Sequence, residues 1–228
     1  MTDSSEHRHD HERHDRERRD HDRRDGLGPG GEDWDERYRA AEQVWSGNPN
    51  GALLAEAADL APARALDVGC GEGADAVWLA RGGWDVTALD VSTVALERAA
   101  RHARDAGVTV RWVHSGLVEA DLPVGSFDLV SAQYPALPST GGKDAERALA
   151  ALVAPGGTLL GVHHAHNLET AHEHGFDPAE YVAPADVAAV LDEDWAVEVD
   201  EVRPRAVPAS GGGTHHSHDV VLRARRLR

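Results

Sequence analysis

A short apolar run that leads into a glycine-rich turn is the feature that most constrains the fold of this chain. Residues 65–74 read ALDVGCGEGA, a β-type run followed by glycines at alternate positions and then by an Ala-rich stretch. In an open α/β sheet, ligands bind beyond the carboxyl ends of the strands, where glycine lets the backbone approach them closely. The next strand ends in Asp90, whose carboxylate can accept hydrogen bonds from both hydroxyls of a ribose. The sequence therefore predicts an α/β fold that binds a nucleoside-containing ligand.

β-type runs alternate with Ala-rich helical stretches along most of the chain. The predicted strands are 65–68, 85–89, 108–113, 127–132, 157–163, 197–202 and 219–224. The predicted helices are 51–60, 74–81, 94–106, 143–153 and 184–191. This alternation indicates parallel strands joined by crossover helices that cover both faces of a sheet. The last two strands lack a helix between them, so they are predicted to form an antiparallel hairpin that closes the sheet.

The charge of the chain restricts its partners. The 228 residues include 23 Lys and Arg against 40 Asp and Glu, a formal net charge of −17. Such a chain repels phosphate backbones and anionic lipid, so we expect a small-molecule substrate and neither a nucleic-acid nor a membrane partner. The single cysteine, Cys70, cannot form an internal disulfide, and no 18-residue apolar run or leading hydrophobic segment is present. We therefore expect a cytoplasmic protein.

Residues 1–31 differ in composition from the rest. Residues 1–25 contain seven Arg, nine acidic residues and five His, and a glycine-rich joint follows. This segment has almost nothing to bury, so we predict a disordered tail and joint over 1–31 and a single domain over 32–228. The tail is interpreted as a solvating segment, with metal capture by its histidines as the alternative.

Two cofactor classes compete for the glycine loop. Its Gly69-x-Gly71-x-x-Ala74 spacing also satisfies the loose dinucleotide pattern of an NAD(P)-dependent oxidoreductase. A pyrophosphate, however, favours a helix N-terminus without negative charge, whereas Asp67 and Glu72 flank this loop. These acids favour a cationic group such as a sulfonium.

The chain resembles the class I S-adenosylmethionine-dependent methyltransferases. The resemblance rests on four motifs in the family's order, within about residues 60–165: LDVGCGEG at 66–73, LDVS at 89–92, SFDLV at 126–130 and APGGT at 154–158. It implies S-adenosyl-L-methionine as cofactor. It also implies a Rossmann-like, seven-stranded, mostly parallel sheet in the order 3-2-1-4-5-7-6, with the last strand antiparallel and helices on both faces.

The resemblance also assigns cofactor-binding residues. They are Asp67, Gly69, Cys70, Gly71, Gly73, Asp90, Val91, Gly116, Leu117 and Gln133. Asp90 is expected to bind the ribose hydroxyls and Val91 to pack on the adenine. Many relatives carry an acid where Gly116 stands, so the backbone near Leu117, or the nearby Glu119 or Asp121, is left to contact the adenine amino group. Cys70 is expected to be a small packing residue and not a nucleophile.

Residues 32–50, named here the lid segment, resemble the entry segment of small-molecule methyltransferases of the tellurite-resistance and thiopurine type. That resemblance implies a segment that folds over the cofactor site. Its aromatic residues are substrate-binding candidates, or else pack an amphipathic helix on the sheet. The substrate-binding candidates are Trp34, Tyr38, Trp45, Tyr134, His163 and Arg205. Arg205 is expected either to bind an anionic substrate or to form an ion pair.

Eight of the ten histidines outside the tail follow residue 160. In the implied topology those near 163–166 and 215–218 converge at one sheet edge. They are interpreted as a proton-accepting pocket, a metal or metalloid site, or ordinary polar loop residues. The catalytic candidates are His163, His164 and His216, and the metal candidates are His163, His166, His216 and His218.

The predicted function is methyl transfer from S-adenosylmethionine to a small molecule. The favoured acceptors are thiols, thiopurine-like compounds and chalcogen oxyanions, because these are ionised or easily ionised near neutral pH. The alternatives are the NAD(P)-dependent oxidoreductase and a non-catalytic metal- or metalloid-binding protein of the same fold.

Overall fold

The structure is a computed structural model that describes residues 31–165, 178–205 and 216–228. The helices of this part of the chain are α1 Gly31–Arg39, α2 Gly51–Glu56, α3 Ala74–Arg81, α4 Thr93–Asp105, α5 Asp144–Leu152 and α6 Pro184–Ala188, with a 3₁₀ turn at Pro178–Glu180. The strands are β1 Arg64–Val68, β2 Asp85–Asp90, β3 Arg111–His114, β4 Phe127–Gln133, β5 Val153–His164, β6 Trp195–Pro204 and β7 His218–Arg226. None of the described helices has the length and apolar character needed to cross a membrane. Residues 1–30 of the tail and joint predicted over 1–31 lie outside the described residues, and Gly31 begins α1.

All seven strands belong to one sheet in the order β3-β2-β1-β4-β5-β7-β6. The pairs from β3 to β5 are parallel, whereas β7 runs antiparallel to both β5 and β6. This confirms the predicted strand order and the closing hairpin. Apolar side chains fill both faces, since Ala65 belongs to one buried cluster and its neighbour Leu66 to the other. Successive strand residues point to opposite faces, so both faces are covered by packed side chains.

The element boundaries differ from the prediction in two informative places. The strand predicted from residue 108 begins at Arg111, because the Val108 N–H bonds the Ala103 carbonyl and closes the end of α4. β5 begins at Val153 and not at residue 157, because Val153 already pairs with Phe127 before an irregular register carries the strand onward. The strand ends that position the candidate site agree with the prediction to within one residue.

Candidate functional site

The glycine loop joins the end of β1 to the start of α3. Gly69, Gly71 and Gly73 adopt positive φ angles of 70°, 52° and 81°, a backbone conformation that side chains disfavour. The N–H groups of Gly69 and Cys70 donate to the Leu89 carbonyl at 2.9 and 3.0 Å, which joins the loop to β2.

The three glycines differ in what a side chain would meet. A Cβ on Gly69 would lie 3.5 Å from the Pro135 side chain, and one on Gly71 would lie 2.9 Å from the Tyr38 hydroxyl. A Cβ on Gly73 would lie only 2.7 Å from the Cβ of Ala99 on α4. Helix packing therefore requires Gly73, and the close contact with Tyr38 and Trp45 requires Gly71, whereas a Cβ on Gly69 would make only an ordinary van der Waals contact.

Two buried carboxylates flank the loop. The Asp67 side chain lies at the end of β1 with only 2% of the residue exposed, and its Oδ2 has no hydrogen-bond partner among the described residues. Burial raises the pKa of Asp67 well above its ordinary value, and the charges of Asp75 and Asp90 raise it further. Asp90 accepts hydrogen bonds from the N–H groups of Gly71 at 2.8 Å and Ser92 at 2.9 Å. Burial outweighs these bonds and raises the pKa of Asp90.

Gln133 ends β4, beside β1. Its amide Nε2 donates to the Ser131 hydroxyl at 3.1 Å, and its buried Oε1 lacks a partner among the described residues. A second buried acceptor therefore lies at the strand ends near Asp67, because β4 pairs with β1. Cys70 is buried, and burial raises the pKa of its thiol well above the ordinary value. This agrees with a packing role and not with a nucleophile.

The lid segment lies over the glycine loop. Tyr38 is 2% exposed, and its hydroxyl accepts a hydrogen bond from the Trp45 indole N–H at 2.8 Å, beside Gly71. Trp34 packs near Tyr38 with a ring-centroid distance of 6.1 Å. Both the burial of Tyr38 and the nearby charge of Asp90 raise the pKa of its phenol, which therefore stays protonated.

Side chains of the glycine loop, of α3 and of α4 bind the lid segment. The Glu72 carboxylate accepts the N–H groups of Val44 at 3.2 Å and Trp45 at 3.0 Å, and it pairs with Arg98 at 2.9 Å. Glu72, which the sequence placed beside a cationic ligand group, instead fixes the lid segment. Asp75 accepts two hydrogen bonds of 2.7 Å from the backbone and side chain of Asn50.

The residues predicted to surround the adenine lie past β2 and β3. The Val91 carbonyl lies 2.9 Å from Nε2 of His114, and Leu117 is 5% exposed. A Cβ built on Gly116 would clash with the carboxylate of Glu119. The Glu119 carboxylate therefore occupies the space that an acidic side chain at position 116 would fill.

Five side chains meet at the other end of the site, where β4 and β5 end and β7 begins. We name them the edge cluster: Tyr134, His164, Arg205, His216 and Asp219. The Tyr134 hydroxyl donates to Asp219 Oδ2 at 2.8 Å, while His164 Nδ1 and Arg205 Nε lie 3.5 and 3.4 Å from Asp219 Oδ1. The His164 ring stacks on Tyr134 at 4.2 Å and on His216 at 4.0 Å.

Asp219 is the centre of the edge cluster and was missed in the sequence. Burial raises its pKa, but the adjacent His164, the hydrogen bond from Tyr134 and the charge of Arg205 outweigh burial and hold the pKa below its ordinary value. The implied topology already brought the end of β5 to the start of β7, and the observed register pairs His164 with Asp219. Arg205 forms the ion pair that was one of its two expected roles.

The other histidine candidates are placed differently. His163 Nε2 lies 3.1 Å from the Pro135 carbonyl, and the exposed His218 contacts the Ser217 hydroxyl at 3.0 Å. His166 lies outside the described residues. Within residues 31–165, 178–205 and 216–228, no group of three or more His, Cys, Asp or Glu side chains is placed to hold a metal ion. The metal-binding alternative has no support in this part of the chain.

The stretch from β1 into β5 matches a known family. Residues 65–157 carry a methyltransferase domain. This stretch contains the glycine loop, Asp90, Gly116 and Gln133, and the match agrees with the predicted enzyme class. The match gives no support to an NAD(P)-dependent oxidoreductase.

Relatives of the methyltransferase domain agree with this assignment. An uncharacterised methyltransferase of Mycobacterium bovis is 38% identical over 119 residues, which cover 52% of this chain and 59% of the relative. The chain thus spans less than two thirds of that relative's length. A protein solved in a study of the conversion of a disulfide bond into a thioacetal group during echinomycin biosynthesis shares the fold, with a TM-score of 0.68, 23% identity and coverage of 86% and 92% of the two chains.

A second solved structure also shares the fold of the methyltransferase domain. It is the 1,6-didemethyltoxoflavin-N1-methyltransferase of Burkholderia thailandensis, with a TM-score of 0.61, 20% identity and coverage of 86% of this chain and 87% of that one. That protein was solved with 1,6-didemethyltoxoflavin and S-adenosylhomocysteine bound. At these identities the two solved structures support the predicted Rossmann-like fold.

Proposed function

We propose that this chain transfers a methyl group from S-adenosylmethionine to a small-molecule acceptor. The observation that carries the proposal is the buried Oδ2 of Asp67, which has no partner among the described residues and lies beside the glycine loop of a methyltransferase domain. A buried acceptor without a partner is costly, and a donor on a bound ligand removes that cost. The carboxylate of Asp67 suits the cationic methionine portion of the cofactor.

The residues at the strand ends fit this cofactor. The methionine portion would be held by Asp67, Gly69, Cys70, Gly71 and Gln133. Its ammonium group would bind the two buried acceptors, Asp67 Oδ2 and Gln133 Oε1. Gly73 would support the loop from below by packing against α4. The bound cofactor would supply a methyl group activated by the positive sulfonium.

The nucleoside portion would bind across β2 and β3. Each carboxylate oxygen of Asp90 accepts one backbone N–H and can accept a further hydrogen bond, which a ribose hydroxyl would donate. Val91, Gly116 and Leu117 would contact the adenine, and Glu119 would accept its amino group in place of an acid at Gly116.

The lid segment would exclude water from the reacting atoms. Tyr38 and Trp45 cover the loop at Gly71, and Trp34 packs behind Tyr38. Methyl transfer mainly requires that donor and acceptor be held in line without water between them. Tyr134, His163 and Arg205 would border the acceptor on the opposite side, next to Gln133.

The acceptor classes favoured by the sequence are thiols, thiopurine-like compounds and chalcogen oxyanions. They follow from the resemblance of the lid segment to the tellurite-resistance and thiopurine type. The edge cluster adds a second class, weakly acidic hydroxyl compounds, because it contains a histidine that can take up a proton and a carboxylate beside that histidine. The net charge of −17 supports a small-molecule acceptor over a nucleic-acid or membrane acceptor.

Calorimetry and turnover test the proposal. We expect saturable binding of S-adenosylhomocysteine, no binding of NAD⁺ or NADP⁺, and release of S-adenosylhomocysteine from labelled S-adenosylmethionine with at least one member of a panel of thiols, selenite, tellurite and phenols. Binding of NAD⁺ or NADP⁺ without binding of S-adenosylhomocysteine would overturn it.

A further inference from the structure

The edge cluster is built around one pair of groups, His164 and Asp219. They face each other across paired positions of β5 and β7, and Asp219 Oδ1 lies 3.5 Å from His164 Nδ1. The side chain of Asp219 is 5% exposed and that of His164 is 16% exposed. A carboxylate beside one ring nitrogen orients the imidazole and stabilises its protonated form, so the other nitrogen, Nε2, becomes the better base.

The surrounding groups hold this pair in place. Tyr134 donates to the second oxygen of Asp219 at 2.8 Å, and the ring of His164 is stacked between the rings of Tyr134 and His216. Tyr134 has a φ of 52°, an uncommon backbone conformation for a bulky residue. Strain of this kind persists where the surroundings enforce it, and it is concentrated at functional sites.

The pair lies at the same end of the sheet as Gln133, on the cofactor side. β4 ends at Gln133, and the two residues that follow lead from the cofactor side to the edge cluster. Pro135 lies 3.5 Å from the position of a Cβ on Gly69, while Tyr134 bonds through its N–H to the Val162 carbonyl of β5 at 2.8 Å. The glycine loop and the edge cluster are thus joined by a two-residue connection.

We infer that His164 is the general base of the transfer, that Asp219 is its positioning residue, and that the acceptor is a weakly acidic hydroxyl compound of the phenol class. The inference rests on the proposed function. An acceptor that is already an anion needs no base, whereas a hydroxyl must lose its proton as it reacts. The stacked rings of Tyr134, His164 and His216 offer an aromatic boundary to a planar ring.

The transfer balances with these groups alone. The hydroxyl oxygen forms the bond to the methyl carbon, and the carbon–sulfur bond of the donor breaks with its electron pair left on sulfur. His164 takes the hydroxyl proton at Nε2 and later releases it to water. The imidazolium formed in between is stabilised by Asp219, whose charge also faces Arg205 and the Tyr134 hydroxyl.

The test compares acceptors of different acidity in His164→Gln and Asp219→Asn. The probes are phenol, which is protonated at neutral pH, and 4-nitrophenol and thiophenol, which are largely ionised slightly above it. We expect His164→Gln to lower kcat for phenol by about 10²–10⁴-fold and to affect the two ionised probes far less. His102→Gln, at a half-buried position in the last turn of α4 and outside the edge cluster, is the matched control and should behave as the wild type.

Asp219→Asn should act through His164 and not on the acceptor. Loss of the carboxylate removes its stabilisation of the His164 imidazolium and leaves the positive Arg205 nearby. Tyr134 and His216 carry no negative charge that could replace it, so the imidazolium should lose its proton more readily. The acid limb of the pH–rate profile for phenol should therefore move to lower pH, with a lower maximal rate. A purely structural role for Asp219 would lower the rate without moving the limb.

S-Adenosylhomocysteine affinity separates the possible failures. Wild-type affinity in both variants, together with selective loss of phenol transfer, supports the inference. Three results would overturn the inference while leaving the proposed function intact. They are equal losses with all three probes in His164→Gln, an unmoved acid limb in Asp219→Asn, and a wild-type protein that methylates thiophenol but neither phenol nor 4-nitrophenol. A wild-type protein that binds no S-adenosylhomocysteine would overturn both.

Discussion

The Arg98 guanidinium and the Glu72 carboxylate form an ion pair of 2.9 Å that holds the lid segment from two sides. Arg98 also donates to the carbonyls of Tyr38 at 2.6 Å and Ala41 at 2.7 Å, and Glu72 accepts the Trp45 N–H at 3.0 Å. Both side chains are less than one fifth exposed. Arg98 and Glu72 thus hold the lid segment through its backbone groups, which residues of different type can supply.

Arg98→Ala should destabilise the lid segment, because it leaves Glu72 and two carbonyls without their charged donor. We expect the free energy of unfolding to fall by about 2 kcal/mol in urea denaturation. Limited proteolysis should also cut within residues 32–50 sooner than in the wild type. Arg101→Ala, an exposed change on the same helix, is the control. Equal stability of the two variants would mean that the ion pair contributes nothing to attachment.

Gly73→Ala should be more destabilising than Gly107→Ala. Both glycines have positive φ, at 81° and 70°, so both changes carry a similar backbone cost. At Gly73 the new methyl group would lie 2.7 Å from the Cβ of Ala99, whereas at Gly107 no atom of the described residues lies within 4 Å. The difference in free energy of unfolding between the variants should be about 1–3 kcal/mol. Chemical denaturation measures it, and no difference would contradict the packing role.

The sequence predicted the sheet and the glycine loop because local patterns determine them. A strand that runs into alternate glycines can be recognised from a short stretch of sequence, and so can an acid at the end of the next strand, such as Asp90. The roles of Glu72 and Asp219 were not visible, because each depends on partners more than 25 residues away: Arg98 for the first and Tyr134 for the second. Such contacts are set by tertiary packing, on which periodicity carries no information.

Asp90→Ala should weaken binding of S-adenosylhomocysteine by about 1–3 kcal/mol, because hydrogen bonds to a charged acceptor are lost. The change also removes the bonds to Gly71 and Ser92 that shape the loop. Asp85→Ala, at the opposite end of the same strand, should leave the affinity unchanged. Isothermal titration calorimetry gives both values. Unchanged affinity in Asp90→Ala would place the ribose elsewhere.

Glu119→Gln should weaken cofactor binding by about 1 kcal/mol, because an amide oxygen accepts from the adenine amino group less strongly than a carboxylate. Asp121→Asn is the matched control, since it removes the same charge two residues away. The comparison uses S-adenosylhomocysteine and its analogue with inosine in place of adenosine. Glu119→Gln should lose discrimination between them and Asp121→Asn should keep it; the reverse pattern would assign the contact to Asp121.

Asp67→Asn should stabilise the protein without ligand and weaken the binding of S-adenosylmethionine. Burial and the charges of Asp75 and Asp90 hold the pKa of Asp67 well above its unfolded value. Because the folded pKa is raised, the ionised side chain costs stability at any pH above it. That cost disappears as the pH falls through the raised pKa toward the unfolded value. An asparagine removes the charge and with it the cost.

The predicted gain of Asp67→Asn in Tm is therefore largest near neutral pH and shrinks as the pH is lowered. Binding should show the opposite sign, since a cationic ligand favours the ionised carboxylate. Calorimetry in buffers of different ionisation enthalpy should detect proton release when the wild type binds S-adenosylmethionine at mildly acidic pH, and less release in Asp67→Asn. A variant that is less stable than the wild type at neutral pH would contradict this account, because it would mean that the buried charge already has a stabilising partner.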